Sequence, residues 1–479
     1  MKARRLAVLA AAGVLVLSGC TSFADTVTVP DPAAAPPAMA SQEPEEAGCP
    51  AERAQPDPDR PEVSLDFRLA DDRRSVTGTE TVVFTPDIDV RELVFRLVPN
   101  GPGSAPAGNR LVIDAVRGDG VDAGRYEGGG AADPGGLYVV ELEHELAAGE
   151  STEVGLDFSL TLGSGAFDRV GTDGEVSWWA SGAPLLAWEP GVGWAKDPFV
   201  ALSGETTVSP AADTVVTVSA PEDLTVLMTG ARAEPSAPLD GRRTWNSAEP
   251  VARDVGVAAG PFTVTEATTP GGTRVSTGVL PGGDVPGNEL STWTTTAIAD
   301  LESFLGPFPY RTLTVALLPD YGGGIEYPSM IFQAAPSREV LVHEVAHMWF
   351  YGMVGNSQFR DPWLDESFAS WAETVVDPGS GLVDEAALAL PGPVGAALDE
   401  YPSPTAYFRL VYDKGGSALL AAQRAAGEDA FDAAIRCYVD ATAWSIATPT
   451  DVYRVLDDLP PALGVLIDAE ALGEDDVPR

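Results

Sequence analysis

The stretch "LVHEVAHMWFYGMVGNSQFRDPWLDESFASWAE", residues 341–373, holds two of the three histidines in a chain of 479 residues. His343 and His347 are four positions apart, so on an α-helix they share a face and can present two imidazoles to one ion. Glu344 lies about 100° further round, within reach of a water on that ion. The flanking Leu341, Val342, Val345, Ala346, Trp349 and Phe350 are apolar, which predicts a buried helix. Ionisable groups buried without partners are costly, and a metal supplies imidazoles with a partner. Because histidine is so scarce here, a chance H-E-x-x-H match comes to roughly one in a thousand. A pair of core histidines bonded to carbonyls is the weaker reading.

A catalytic zinc usually has three protein ligands and one open position, so a third ligand is needed. "RDPWLDESFASWAETV" predicts a helix with Asp361 as N-cap and Pro362 in the first helical position. Glu366 and Glu373, seven apart, share one of its faces. Glu366 is the candidate third ligand, and Glu373 is placed to hold the second N–H of a ligand histidine.

Eighteen residues lie between His347 and Glu366. This H-E-x-x-H-x18-E spacing resembles that of the gluzincin zinc aminopeptidases, the family of aminopeptidase N and leukotriene hydrolase. Other motifs agree. "GGIEY", Gly323–Tyr327, is similar to the family's G-x-M-E-N exopeptidase motif, and "AYFRLVYDKGG" resembles its Y-x-K-G segment, with Tyr412 at the tyrosine position. "LGPFPYRTLTVALLP" looks like the helix-to-strand entry into the catalytic domain. The likeness covers about Leu301–Gly416.

The resemblance implies a thermolysin-like metallopeptidase domain with one Zn2+ on His343, His347 and Glu366, braced by Glu373. Glu344 would be the general base that takes a proton from metal-activated water and passes it to the leaving amine. Tyr412 would hydrogen-bond the oxyanion. Glu326 would hold the free α-amino group of a peptide, and Gly323 and Gly324 would let the substrate backbone approach closely. Some residues depart from the family pattern. Ile325 and Tyr327 replace Met and Asn, which leaves the first specificity pocket undefined, and L-N-E-G reads Leu364-Asp365-Glu366-Ser367. Glu189 is the one candidate from the β-rich half for a second holder of the amine. About 60 residues remain after Gly416, too few for the family's large C-terminal helical domain, so the cleft is expected to be open and to admit longer peptides.

The elements that must position these groups fall in two halves. Short β-branched, alternating runs such as "SVTGTETVVFTP" and "STEVGLDFSLTL", punctuated by Gly, Pro and Asp, predict an all-β sandwich over residues 60–265. Helical spacing in "LSTWTTTAIADLESFLG", a strand in "RTLTVALLP" and later helices predict an α+β catalytic domain over 266–479. Residues 1–20, "MKARRLAVLAAAGVLVLSGC", have a basic start, a short apolar run and small residues before Cys20. They read as a bacterial lipoprotein signal, with Cys20 the lipidated residue. A Pro-, Ala- and Glu-rich stretch, 21–59, reads as a disordered spacer.

The expected protein is therefore extracytoplasmic and attached to the cell membrane by lipid alone. Its formal net charge of −42 repels phosphate backbones, so nucleic-acid binding is not expected. Outside the cytoplasm Cys49 and Cys437 are permitted a disulfide, but the sequence does not require one. The expected function is a zinc aminopeptidase acting on peptides with free N-termini. A zinc endopeptidase on the same centre and a non-catalytic peptide-binding lipoprotein are the alternatives. The second has no use for Glu344 or Tyr412.

Overall fold

The computed structural model describes Cys49 and residues 52–202, 207–378 and 384–478. The signal segment with Cys20, and most of the 21–59 spacer, lie outside them. Residues 47–479 form one compact unit. The spacer was read as disordered to residue 59, but residues 53 and 54 are fastened down. Arg53 donates to Asp440 Oδ1 at 2.8 Å, and the Ala54 amide donates to the Asp440 carbonyl at 2.8 Å.

The period-two alternation of the N-terminal half becomes two facing sheets. A seven-stranded sheet runs in the order Ala231–Arg232, Arg242–Ala252, Ala212–Pro221, Glu62–Leu69, Ser75–Phe84, Thr152–Thr161, Arg110–Arg117. A four-stranded sheet runs Leu185–Leu186, Val90–Arg96, Leu137–Leu146, Val121–Glu127. Leu65, Phe67, Val82 and Phe84 of the first share a core with Leu93, Phe95 and Val140 of the second. A second four-stranded sheet, Thr225–Met228, Gly256–Gly260, Val176–Ala180 and Val170–Asp173, completes this half. Its Trp178, Leu227 and Ala258 pack on Ala316, Met330 and Phe332 of the sheet that follows.

That next sheet has five strands in the order Thr263–Thr268, Arg274–Val279, Thr312–Leu317, Met330–Gln333, Gly324–Tyr327. The junction read at 265/266 falls within its first strand. The last strand is an antiparallel edge in which Glu326 stands opposite Ile331.

Among the described residues, eight α-helices follow or flank it: α1 (Gly287–Leu305), α2 (Arg338–Ala346), α3 (Trp363–Val376), α4 (Pro404–Tyr407), α5 (Gly416–Ala426), α6 (Glu428–Ala441), α7 (Pro449–Leu456) and α8 (Pro460–Asp468). Helix α2 is capped by Ser337, whose Oγ accepts from the Val340 amide. Helix α3 begins one residue later than its sequence suggests. Pro362 is its N-cap, and Asp361 contributes its carbonyl, which accepts from the Leu364 amide, rather than a side-chain cap. The aromatic face of α3 fixes the helix in the core. Phe368 stacks on Phe350 (centroids 4.9 Å apart) and on Tyr438 of α6 (5.6 Å), while Trp371 meets Phe304 of α1 (5.6 Å) and Phe431 of α6 (5.6 Å). Burial of each such ring contributes about 1.5–3 kcal/mol, so α3 is held rigidly. Among the described residues, no helix is long and apolar enough to cross a membrane.

Candidate active site

Helices α2 and α3 pack against each other, and α2 also packs on the edge strand Gly324–Tyr327. This brings three sequence-distant groups together. His343 Nε2 and His347 Nε2 are 3.1 Å apart, and each is 3.3 Å from Glu366 Oε2. His343, His347 and Glu366 are all buried. The far nitrogens face carboxylates. His347 Nδ1 is 2.6 Å from Asp365 Oδ1, and His343 Nδ1 is 3.4 Å from Glu373 Oε2, a carboxylate that is wholly inaccessible. With the Nδ1 protons turned to these acids, both Nε2 lone pairs point at the spot that Glu366 also faces.

This donor set fits a zinc ion. Arms of about 2.0–2.1 Å in a tetrahedron leave ligand atoms about 3.3–3.4 Å apart, close to the three separations here. The electrostatics agree. Burial pulls the His343 imidazole down, but the carboxylates of Glu366 and Glu373 override it and push it up to about 10. His347 is likewise raised: burial opposes the shift, and Glu326, Asp365 and Glu366 outweigh it. Burial would raise Glu366, but the two imidazoles hold it far below the usual carboxylate range. Without an ion, the site therefore favours added positive charge.

Around this centre the remaining predicted residues line one cleft of about 670 Å³. Glu344 is 4% exposed, and burial pushes it up to about 7. Glu326, on the edge strand, is 5% exposed with Oε1 unpartnered; burial pushes it up to about 8. The two carboxyls share a hydrogen bond. The Tyr412 ring stacks on His343 at 5.8 Å. Gly323 has φ +89°, which only glycine adopts without strain. Gly324 is required for a different reason. A Cβ there would lie 2.6 Å from Glu344 Cγ and Oε1.

Four findings were not visible in the sequence reading. First, Asp365 braces His347 and is itself held by Gln358, whose Nε2 donates to Oδ2 at 3.1 Å. Its only sequence signal is adjacency to Glu366. Second, Tyr412 lies on a π-helical segment, Phe408–Gly415, between α4 and α5. The Ser367 hydroxyl donates to the Val411 carbonyl at 2.6 Å, so the Gly-to-Ser departure of L-N-E-G docks the tyrosine-bearing turn onto α3. Third, Tyr327 does not shape the cleft. It is wholly buried, packing on Phe332 at 5.3 Å, whereas Ile325 does line the cleft. Fourth, Glu189 does not face the cleft, because it pairs with Arg360. From the β-rich half, Phe167, Asp168, Arg169 and Phe199 reach the cleft instead.

Residues 300–379 match the Peptidase family M1 domain. Over these residues the chain is similar to the M1 family of gluzincin peptidases. It is 26% identical over 188 residues to Aminopeptidase M1-B of Oryza sativa subsp. japonica, which covers 32% of this chain and 22% of that protein. It is 24% identical over 148 residues to Leucyl aminopeptidase of Saccharolobus solfataricus, covering 27% and 19%. The chain thus spans about a fifth of the length of these M1 relatives. Its fold matches the M1 zinc metallopeptidase of Deinococcus radiodurans, with a TM-score of 0.63 at 20% identity over 90% of this chain and 99% of that one. A mutant of that enzyme bound to a Tyr-Ser-Ala substrate gives 0.62 at 19% identity over 86% and 94%. That neighbour is named a zinc metallopeptidase, and zinc is the ion that the His343–His347–Glu366 set of this chain fits.

Proposed function

We propose that this chain is a zinc-dependent aminopeptidase that removes N-terminal residues from peptides. The observation that carries the reading is one cleft holding the three converging donors, the buried carboxyl of Glu344 beside them, and the carboxyl of Glu326, whose Oε1 has no partner. Zinc on His343, His347 and Glu366 would polarise the scissile carbonyl and acidify water. Glu344 accepts that water's proton and returns it to the leaving amine, a task suited to a carboxyl that burial has raised toward neutrality. Tyr412 donates its hydroxyl to the oxyanion. Glu326 pairs with the substrate ammonium and so sets the distance from amino terminus to scissile bond at one residue. Asp365 and Glu373 keep each imidazole in the tautomer that offers Nε2.

The basic, apolar and small-residue pattern of residues 1–20 supports export and lipid attachment at Cys20 on the outer side of a bacterial cell membrane. Substrates would then be extracytoplasmic peptides.

The test is hydrolysis of a panel of aminoacyl fluorogenic amides, each with and without an N-acetyl cap. Turnover of the free forms alone, lost with chelator and restored by zinc, is expected. Turnover of capped forms would replace the reading with an endopeptidase. Inactivity on every substrate with zinc bound would point to a peptide-binding protein.

A further inference from the structure

Residues 53 and 54 are tied to the C-terminal end of α6. The Arg53 guanidinium donates to Asp440 Oδ1 at 2.8 Å and to the Pro307 carbonyl at 2.9 Å, and the Ala54 amide donates to the Asp440 carbonyl. Cys437 lies three residues before Asp440 and so on the same face of α6. The thiol of Cys49, five residues before Ala54, lies near enough to the Cys437 thiol to act on it electrostatically, although the two are not bonded in this structure. Cys49 is exposed and Cys437 half-buried. Burial, and after it the neighbouring Cys49 sulfur, raise the Cys437 thiol above its ordinary range. Apart from Cys20, these are the chain's only cysteines.

We propose that Cys49 and Cys437 are joined as an intramolecular disulfide, fastening the start of the folded chain to α6. Two positions 388 apart in sequence (437 − 49) meet here. What holds them is the Arg53–Asp440–Pro307 cluster, which sets the approach before any covalent bond exists. Exposure assigns the order of events. The Cys49 thiolate attacks the disulfide of a thiol–disulfide oxidase, giving a mixed disulfide and releasing one donor sulfur. Cys437 loses its proton to solvent and attacks the Cys49 sulfur, and the donor leaves as a dithiol. The two thiols give up two electrons and two protons, and the donor disulfide takes them up.

The bond would constrain the unfolded chain over most of its length, the situation in which a cross-link removes the most loop entropy. It would also brace α6, whose Phe431 and Tyr438 press on Trp371 and Phe368 of the glutamate-bearing α3. Neither sulfur lines the cleft, so the bond is expected to change stability and leave turnover alone. This inference does not depend on the aminopeptidase reading.

The test uses the full-length chain, exported and purified without reductant, alkylated while denatured and digested with trypsin. A linked pair of peptides is expected, lighter by two hydrogens than the separate peptides and split by reductant, with neither cysteine alkylated. Two alkylated thiols would overturn the proposal. Reduced protein treated with glutathione disulfide is expected to close the same bond, so a lasting glutathione adduct on Cys49 would also overturn it. Finally, Cys437→Ser should melt below the oxidised protein, together with the reduced one, at unchanged kcat. Coincident melting of the variant and the oxidised protein would refute the bracing role.

Discussion

Gly324→Ala isolates the demand that the site makes on Glu344, the proposed general base. The added methyl would stand 2.6 Å from Glu344 Cγ and Oε1 and 2.7 Å from Cδ, whereas ordinary contact begins at 3.4 Å. One group must therefore retreat by about 0.8 Å (3.4 − 2.6). Gly324 does not have a positive φ, so alanine brings no backbone strain, and the obstructing atoms belong to a side chain that can rotate away. Folding should survive, but the carboxyl leaves the position from which it transfers a proton. A misplacement of about 1 Å in a catalytic group costs about 10²-fold in rate, or about 2.7 kcal/mol of barrier. The assay is steady-state hydrolysis of a free aminoacyl amide, with zinc content and circular dichroism measured on the same preparation. The expected result is native spectra, one zinc per chain and kcat/KM lower by about two orders of magnitude. A variant within about threefold of wild type would refute the claim that the strand's closeness to Glu344 matters.

Other perturbations separate the remaining roles. Tyr412→Phe removes one donor to the oxyanion and should lower kcat by about 10²–10³-fold with zinc retained; a change confined to KM would contradict this. Glu373→Gln weakens the partner of His343 Nδ1, and zinc affinity measured by chelator competition should fall by about 10–100-fold. Unchanged affinity would remove its bracing role. Glu249, 6% exposed on strand Arg242–Ala252, is pushed up by burial from the ordinary 4.5 to about 7. A carboxyl whose folded pKa lies above its unfolded one stabilises the fold below the unfolded value, and that contribution is lost as pH rises from about 4.5 to about 7. The loss amounts to about 3 kcal/mol at about 1.4 kcal/mol per unit. Glu249→Gln should therefore flatten the fall in melting temperature between pH 5 and pH 8, and an unchanged fall would contradict the burial argument.

The convergence of His343, His347 and Glu366 was legible because its information is local. Two histidines at helical spacing and two glutamates seven apart declare their faces through helix periodicity alone, and the buried alternation of Ser75–Phe84 declares a strand in the same way. What stayed hidden depends on distant partners. The π-segment around Tyr412 is docked by Ser367, 44 residues away, and nothing local in "FRLVYDKG" announces the wider turn. Asp365 gained its role from the approach of α2 to α3. Tyr327 was drawn into the apolar layer by Phe332 and Met330, and Glu189 was turned from the cleft by Arg360. Arg53 and Ala54 look like spacer in composition, yet Asp440 holds them. A helix start one residue from expectation is of the size that end fraying and cap choice routinely produce.

The most direct test of the central claim compares wild type and Glu344→Gln for bound zinc and for turnover of a free aminoacyl amide on the same samples. The account predicts one zinc per chain in both, with turnover in the wild type alone. A Glu344→Gln variant that hydrolyses the amide at the wild-type rate would contradict it, as would a wild type that turns over with no metal bound.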